Sequence, residues 1–168
     1  MNRVLLLICL ALAMPVAMDV AVAPAAAEDA AKKKKDTRRM PAITERTYKA
    51  LSKAQALIDP ESIAEEDRKK TWDPTPRPQE GIDVLLDMLD KRGLNSYEAA
   101  QIWNLLAFGY YTIEDTAKTI DAYENLLAQE KITLALELSA LRALYQLYYA
   151  GEDYERSIEY MDKYLVLK

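Results

Sequence analysis

The residues that most often carry chemistry in proteins are scarce in this chain of 168 residues. It has no His and one Cys, and its four Gly are widely scattered. Without imidazole, a His-paired nucleophile and a His-ligated zinc site are excluded. Scattered glycines cannot build the phosphate-binding loops of the GxGxxG or GxxxxGK type. Any catalysis would therefore have to use carboxylates, Lys or Tyr alone.

Carboxylates and tyrosines offer two further kinds of chemistry. Glu114 and Glu137 could in principle form an acid/base pair, but no spacing of carboxylates here predicts a raised pKa. Among the eleven tyrosines, the adjacent pairs at 110–111 and 148–149 could form an aromatic platform for a sugar or a peptidoglycan strand. At helical spacing, however, one member of each pair points into the core. We therefore expect no enzyme, no metal site and no cofactor.

The elements that would position these residues are helices. The chain is 51% apolar and 29% charged, enough for a folded core. From Met40 onward the apolar residues recur with the 3.6-residue period of helices. Asn95 and Glu98 are spaced as a capping box, and Gly93 after two basic residues indicates a helix end. The predicted helices span about residues 43–58, 82–92, 96–114, 116–129, 133–150 and 154–167.

Pairs of these helices form an internal repeat of the tetratricopeptide pattern, which places large and small residues at fixed positions of two helices. The first complete copy has Trp103, Leu106, Ala107, Tyr110, Thr119 and Tyr123. The second has Leu141, Leu144, Tyr145, Tyr148, Ser157 and Met161. A degenerate copy precedes them with Tyr48, Leu51, Ser52, Gln55, Gly81, Ile82 and Leu85. The sequence therefore predicts an all-α solenoid of two complete tetratricopeptide-type hairpins and one degenerate, interrupted hairpin.

Two departures from the pattern carry further expectations. Tyr145 stands where the pattern has Gly or Ala, so we expect the last hairpin to be wider or locally irregular. The degenerate copy is interrupted at about residues 59–78 by a proline-rich insertion, because proline at that density blocks regular helix. A long loop of this kind is often functional. Trp72 within it is a possible binding anchor, and the alternative is that it folds back onto its own domain.

The first helix of each tetratricopeptide pair lines a concave surface, where a partner would bind. The side chains opposite the packing face follow the spacing i, i+3, i+7, i+10. They are Gln101, Asn104, Phe108 and Tyr111 on one helix, and Ser139, Arg142, Gln146 and Tyr149 on the other. Such side chains can pair with the backbone of an extended peptide and pack against its side chains. The alternative is that Phe108, Tyr111 and Tyr149 pack against a neighbouring helix.

The N-terminal residues predict export. Arg3, an apolar stretch at residues 4–18 and Ala25-Ala26-Ala27 before Glu28 have the layout of a secretory signal peptide, with cleavage after Ala27. Residues 28–39 form a basic leader, for which we expect a flexible spacer rather than a lipid-binding segment. Residues 40–168 form the helical domain. Cleavage would remove Cys9, and an exported chain without cysteine is typical of the Gram-negative periplasm.

Two segments of the chain resemble a family of exported tetratricopeptide proteins linked to TonB energy-transduction systems. They are NSYEAAQIWNLLAFGYY (residues 95–111) and ERTYKALSKAQALI (residues 45–58). Members of this family are periplasmic proteins of proteobacteria, associated with the machinery that powers uptake across the outer membrane. The resemblance covers residues 40–168 apart from the proline-rich insertion. It implies a protein–protein interaction scaffold within a TonB-dependent transport system.

Two alternative functions stay open. One is a general factor for envelope assembly, chaperone-like, that grips extended polypeptides. The other is a membrane-tethered subunit, in which an uncleaved N-terminal segment holds the four lysines at residues 32–35 near the bilayer. Membrane contact is expected only through residues 1–39. Nucleic acid is not expected as a partner, because residues 40–168 carry 15 basic and 23 acidic side chains.

Overall fold

Six helices account for most of the chain that the computed structural model describes, which comprises residues 41–68, 73–91 and 93–168. They are α1 (Glu45–Ile58), α2 (Pro78–Leu89), α3 (Ser96–Thr112), α4 (Thr116–Leu127), α5 (Leu134–Ala150) and α6 (Tyr154–Leu167). Two 3-10 turns, Pro60–Ser62 and Glu65–Asp67, lie between α1 and α2, and no strand occurs in the described residues. The prediction of an all-α fold is confirmed.

Three of the predicted features lie on residues that the structure does not describe. The signal peptide at residues 1–27, the basic leader at residues 28–39 and the proposed anchor Trp72 lie outside the described residues. Within the described ranges, no helix has both the length and the apolar character needed to cross a membrane.

Consecutive helices pack as three hairpins, α1–α2, α3–α4 and α5–α6. Contacts between α2 and α3 and between α4 and α5 join the hairpins, and α1 also packs on α3. Ring contacts show the direction of the last pair: Tyr145 meets Tyr164, whereas Tyr149 meets Tyr154. Since the residue numbers rise on α5 as they fall on α6, these two helices run antiparallel.

The turns inside the last two hairpins are the same. Glu114 and Glu152 have left-handed backbones, with φ of 61° and 63°. At the first turn, the N–H groups of Asp115 and Glu114 donate to the carbonyls of Tyr110 and Tyr111, which is the Schellman pattern. In the turn at Glu152, the N–H groups of Asp153 and Glu152 donate in the same way to the carbonyls of Tyr148 and Tyr149. Asp115 and Asp153 then cap α4 and α6, so the two turns are equivalent.

Small residues set the closest approach between paired helices. A Cβ on Gly81 of α2 would lie 2.9 Å from the backbone oxygen of Ala54 on α1. In the last hairpin, the Ser157 hydroxyl donates to the backbone oxygen of Tyr145 at 2.9 Å. The ring of Tyr145 contacts Tyr164 instead of separating the helices. The expected widening of the last hairpin is therefore wrong at this position.

The positions predicted for the degenerate copy need a correction in α1. Tyr48, Ser52 and Gln55 were expected to pack, but all three are exposed. Ala54 packs opposite Gly81, and Ile58 is buried beside it. The residue of α1 that meets α2 is therefore Ala54, two positions after the predicted Ser52, just as Tyr145 of α5 meets Ser157 of α6.

Two apolar clusters form the core. The larger joins α1, α2, α3 and α4, and its fully buried members include Ala54, Ile82 and Leu106. The smaller joins α3, α4 and α5 around Leu126. Trp103 and Tyr123 pack against both clusters. These two aromatic residues therefore connect the first hairpin with the last one.

The capping box predicted at the start of α3 is present and extends further than expected. Asn95 accepts a hydrogen bond from the backbone of Glu98, and the Glu98 carboxylate accepts one from the backbone of Asn95. The carboxylate also accepts bonds from the backbone and the hydroxyl of Thr44, the residue that caps α1. Glu98 thus ties together the starts of α1 and α3.

The predicted insertion lies between the end of α1 at Ile58 and Pro78, the first residue of α2, and its described residues form only the two 3-10 turns. The backbone N–H of Arg77 donates to the carbonyl of Leu57 at 2.7 Å, which brings the two ends of the loop together. Pro78 fits the first turn of α2, where a backbone N–H would have no partner in the helix. The loop therefore leaves the pairing of α1 and α2 intact.

Candidate interaction surfaces

The eight side chains predicted to bind a partner lie on α3 and α5 with varied exposure. Phe108, Ser139, Arg142 and Tyr149 are exposed, and the remaining four are half-buried. They differ in this from Tyr110 and Tyr148, which are buried. One member of each adjacent tyrosine pair therefore belongs to the core, as predicted, and a flat two-ring platform for sugar binding is not formed.

Two of the predicted binding residues contact α6. The guanidinium of Arg142 donates to the Tyr164 hydroxyl at 3.4 Å and lies 5.9 Å from the centre of that ring. This pairing raises the pKa of Arg142 and lowers that of Tyr164. Tyr149 meets the ring of Tyr154 edge to face at 5.6 Å. Arg142 and Tyr149 thus support the last hairpin, whatever else they bind.

A hydrogen-bonded cluster connects the last three helices. The hydroxyls of Tyr148 on α5 and Tyr160 on α6 both donate to one carboxylate oxygen of Glu124 on α4, at 2.7 and 2.8 Å. The two rings stack with their centres 5.5 Å apart, and Arg156 donates to the Tyr148 hydroxyl. Burial and the bond to Glu124 raise the pKa of Tyr160 well above its ordinary value. The hydroxyl of Tyr160 therefore stays protonated at neutral pH, and the cluster holds α4, α5 and α6 together.

An open groove of about 680 Å³ lies beside this cluster, between α4, α5 and α6. Its lining includes the acidic side chains of Glu124, Glu137 and Asp162 and the apolar side chains of Leu127 and Leu141. Glu114 lies elsewhere, in the turn before α4. Among the described residues no group of three His, Cys, Asp or Glu side chains could hold a metal ion.

An exposed apolar surface on α6 was missed in the sequence. It includes Tyr154, Ile158, Leu165 and Val166, each more than half exposed, and Met161, which the repeat pattern placed at a packing position but which is 38% exposed. The residue types were visible in the sequence, as was the helix. A helical pattern alone does not show whether another helix covers an apolar face. The exposure of this face of α6 was therefore not predictable from the sequence.

Comparison of the chain with protein-family models, curated proteins and solved structures found no match.

Proposed function

We propose that this protein is an exported interaction module of tetratricopeptide type, which acts as a periplasmic scaffold in a TonB-dependent transport system. It binds an extended segment of a partner protein on the side chains of α3 and α5. The link to TonB systems rests on the resemblance of residues 45–58 and 95–111 to that family. The binding role rests mainly on one observation, the exposed aromatic and polar side chains on the first helices of two successive hairpins.

The recurrence of local geometry supports the repeat assignment. Three hairpins follow one another, and the second and third have the same Schellman turn and the same capping aspartate. Paired helices make close contacts at positions that correspond in the repeat, between Ala54 and Gly81 and between Tyr145 and Ser157. In repeat proteins, units of this kind stack on their neighbours and present an extended surface.

The chemistry of the stripe supports an extended peptide as the ligand. Asn104 and Gln146 each carry a donor and an acceptor, which can pair with a peptide backbone. Phe108 is exposed and offers an apolar contact between them. Peptide-binding surfaces combine backbone hydrogen bonds, which give affinity, with apolar contacts that give specificity.

Affinity capture from envelope extract tests the proposal, with the tagged full chain and two variants. The first variant, Asn104→Ala with Gln146→Ala, removes two amides from the stripe and leaves intact the contacts that Arg142 and Tyr149 make with α6. The matched control, Asn125→Ala with Gln129→Ala, removes the same groups elsewhere. There the amides donate to backbone carbonyls four residues earlier. Circular dichroism establishes that both variants fold.

We expect TonB-system proteins to be retained by the wild type and the control and lost from the stripe variant. Equal retention by both variants would remove the stripe from the proposal. Retention of many unrelated unfolded polypeptides would favour the chaperone-like function instead. The N-terminus of the isolated protein, determined by mass spectrometry, separates a cleaved periplasmic protein from a tethered one.

A further inference from the structure

The exposed apolar face of α6 is a single stripe. Tyr154, Ile158, Met161 and Leu165 follow the spacing i, i+4, i+7, i+11, which places them on one side of a helix. Ile158 and Leu165 are 54% and 59% exposed. We call these four residues the α6 stripe. Tyr154 meets the ring of Tyr149 on α5, and each of the four side chains still has at least 38% of its surface exposed and open to a partner.

The internal repeat shows what covers this face in the other hairpins. A shift of 38 residues aligns Ser157 with Thr119, and a second such shift aligns Thr119 with Gly81. The same shifts align the α6 stripe with positions 116, 120, 123 and 127 of α4 and with positions 78, 82, 85 and 89 of α2. Ile82 and Leu85 are fully buried in the cluster that includes α3. Tyr123 and Leu127 pack in the cluster that includes α5.

Each of these two covering helices brings a small residue to the contact. A Cβ on Gly109 of α3 would lie 2.9 Å from a side-chain carbon of Ile82. Ala140 of α5 is fully buried in the cluster with Tyr123 and Leu127, and Leu136 packs beside it. The stripe of a second helix in this fold is therefore covered by a helix with small and apolar residues about one turn apart.

We propose that the α6 stripe binds one amphipathic helix of a partner protein, packed as α5 packs on α4. Glu155, Glu159 and Asp162 are exposed and follow the stripe along its edge, and Glu159 pairs with Lys163 at 2.6 Å. A helix with basic residues beside Glu155 and Asp162 complements the charge of these two carboxylates. The site adjoins the stripe of α3 and α5 where Tyr154 meets Tyr149, and it adds a second binding surface, of the helix-in-groove kind.

A second copy of this chain fits the stripe less well than such a helix. In head-to-tail stacking, α1 of the next copy would have to cover α6. The position of α1 that corresponds to Ala140 is Lys49, which pairs with Glu45 at 2.6 Å, and both side chains are exposed. Covering α6 with α1 would bury this ion pair against apolar side chains, at a cost in desolvation.

A labelled peptide tests the proposal by fluorescence anisotropy with the purified protein. The peptide is patterned on α5: it keeps Leu136, Ala140, Ala143 and Leu147 and has Lys or Gln at the other positions. A control peptide has the same composition, with the four apolar residues spread around the helix. The protein variant Ile158→Ser with Leu165→Ser removes the stripe. Its matched control, Tyr48→Ser with Leu86→Ser, removes exposed apolar side chains elsewhere.

We expect the first peptide to bind the wild type and the matched control alike, and the stripe variant at least about tenfold more weakly. The Asn104→Ala, Gln146→Ala variant should bind it normally, because its changes lie on the other surface. No binding to the wild type, equal binding to both protein variants, or equal binding of the control peptide would overturn the proposal. Sedimentation adds a further check: a dimer that the stripe variant abolishes would assign the face to a second copy instead.

Discussion

Glu98 is the buried charged side chain on which the fold depends most. Glu98 is 1% exposed, and its carboxylate accepts hydrogen bonds from Thr44 and from the backbone of Asn95. Burial alone would raise its pKa, but these bonds outweigh burial and lower the pKa to about 2, from an ordinary value of 4.5. The folded protein therefore holds the ionised form more tightly than the unfolded chain does.

This shift predicts how stability depends on pH. A carboxylate with a lowered pKa in the folded state stabilises the protein above its unfolded pKa, and that contribution is lost as the pH falls through the folded value. We expect the free energy of unfolding, measured in urea, to fall between about pH 5 and pH 2. In Glu98→Gln this part of the fall should be reduced, and the variant should be destabilised by about 2–3 kcal/mol at neutral pH. An unchanged pH profile in the variant would contradict the assigned role.

At the residue scale, the sequence predicted local chemistry well. The capping box at Asn95 and the left-handed conformation of Gly93, with φ of 94°, both follow from residue preferences that act over a few positions. Gly93 does not cap α2, however, because that helix ends at Leu89 with Asp90 as its cap. The link from Glu98 to Thr44 was not predictable, because it joins residues 54 apart in the chain. Nor was the left-handed backbone of Glu152, because the neighbouring Gly151 is the more usual residue for that conformation.

At the scale of elements, the pairing of α1 with α2 was predicted, but their register was wrong, and α2 spans Pro78–Leu89 where residues 82–92 were expected. Helix caps and apolar periods fixed the ends of α4, α5 and α6 to within about two residues. The pattern positions in α1 were misplaced because the long loop hides the spacing between the two helices. Residues 54 and 81 are 27 apart, whereas the equivalent residues 107 and 119 are 12 apart. Without that spacing, the polar and apolar residues of α1 fit more than one register.

The contact of α1 with α2 gives a prediction for Gly81→Ala. The added methyl would lie 2.6 Å from a side-chain carbon of Ile58 and 2.9 Å from the Ala54 backbone oxygen. Because that oxygen belongs to a helix and cannot move freely, we expect a loss of about 1–3 kcal/mol in the free energy of unfolding. Gly151→Ala is the matched control, since its methyl would meet only a backbone oxygen at 3.4 Å. Equal losses in the two variants would argue against close packing at Gly81.

At the scale of the whole molecule, the three hairpins are not held equally. The first two share the larger cluster, and α1 packs on both α2 and α3. The last hairpin joins the rest through the smaller cluster and through the hydrogen bonds from Tyr148 and Tyr160 to Glu124. Because the apolar stripe of α6 is exposed, the other described helices cover this helix on one side only. Sequence alone predicted the order of the hairpins but not this gradient, which depends on which faces meet.

Stability in repeat arrays is approximately a sum of local units and their neighbouring interfaces. We therefore expect amide hydrogen exchange to be fastest in α6 among the described helices and slowest in α2 and α3. Leu136→Ala weakens the smaller cluster, so it should speed exchange in α5 and α6 and leave α1 and α2 nearly unchanged. Trp103→Ala should speed exchange in all three hairpins, because Trp103 packs against both clusters. If Leu136→Ala instead speeds exchange to the same extent in every helix, the molecule opens as one cooperative unit, and the last hairpin has no separate stability for a partner to increase.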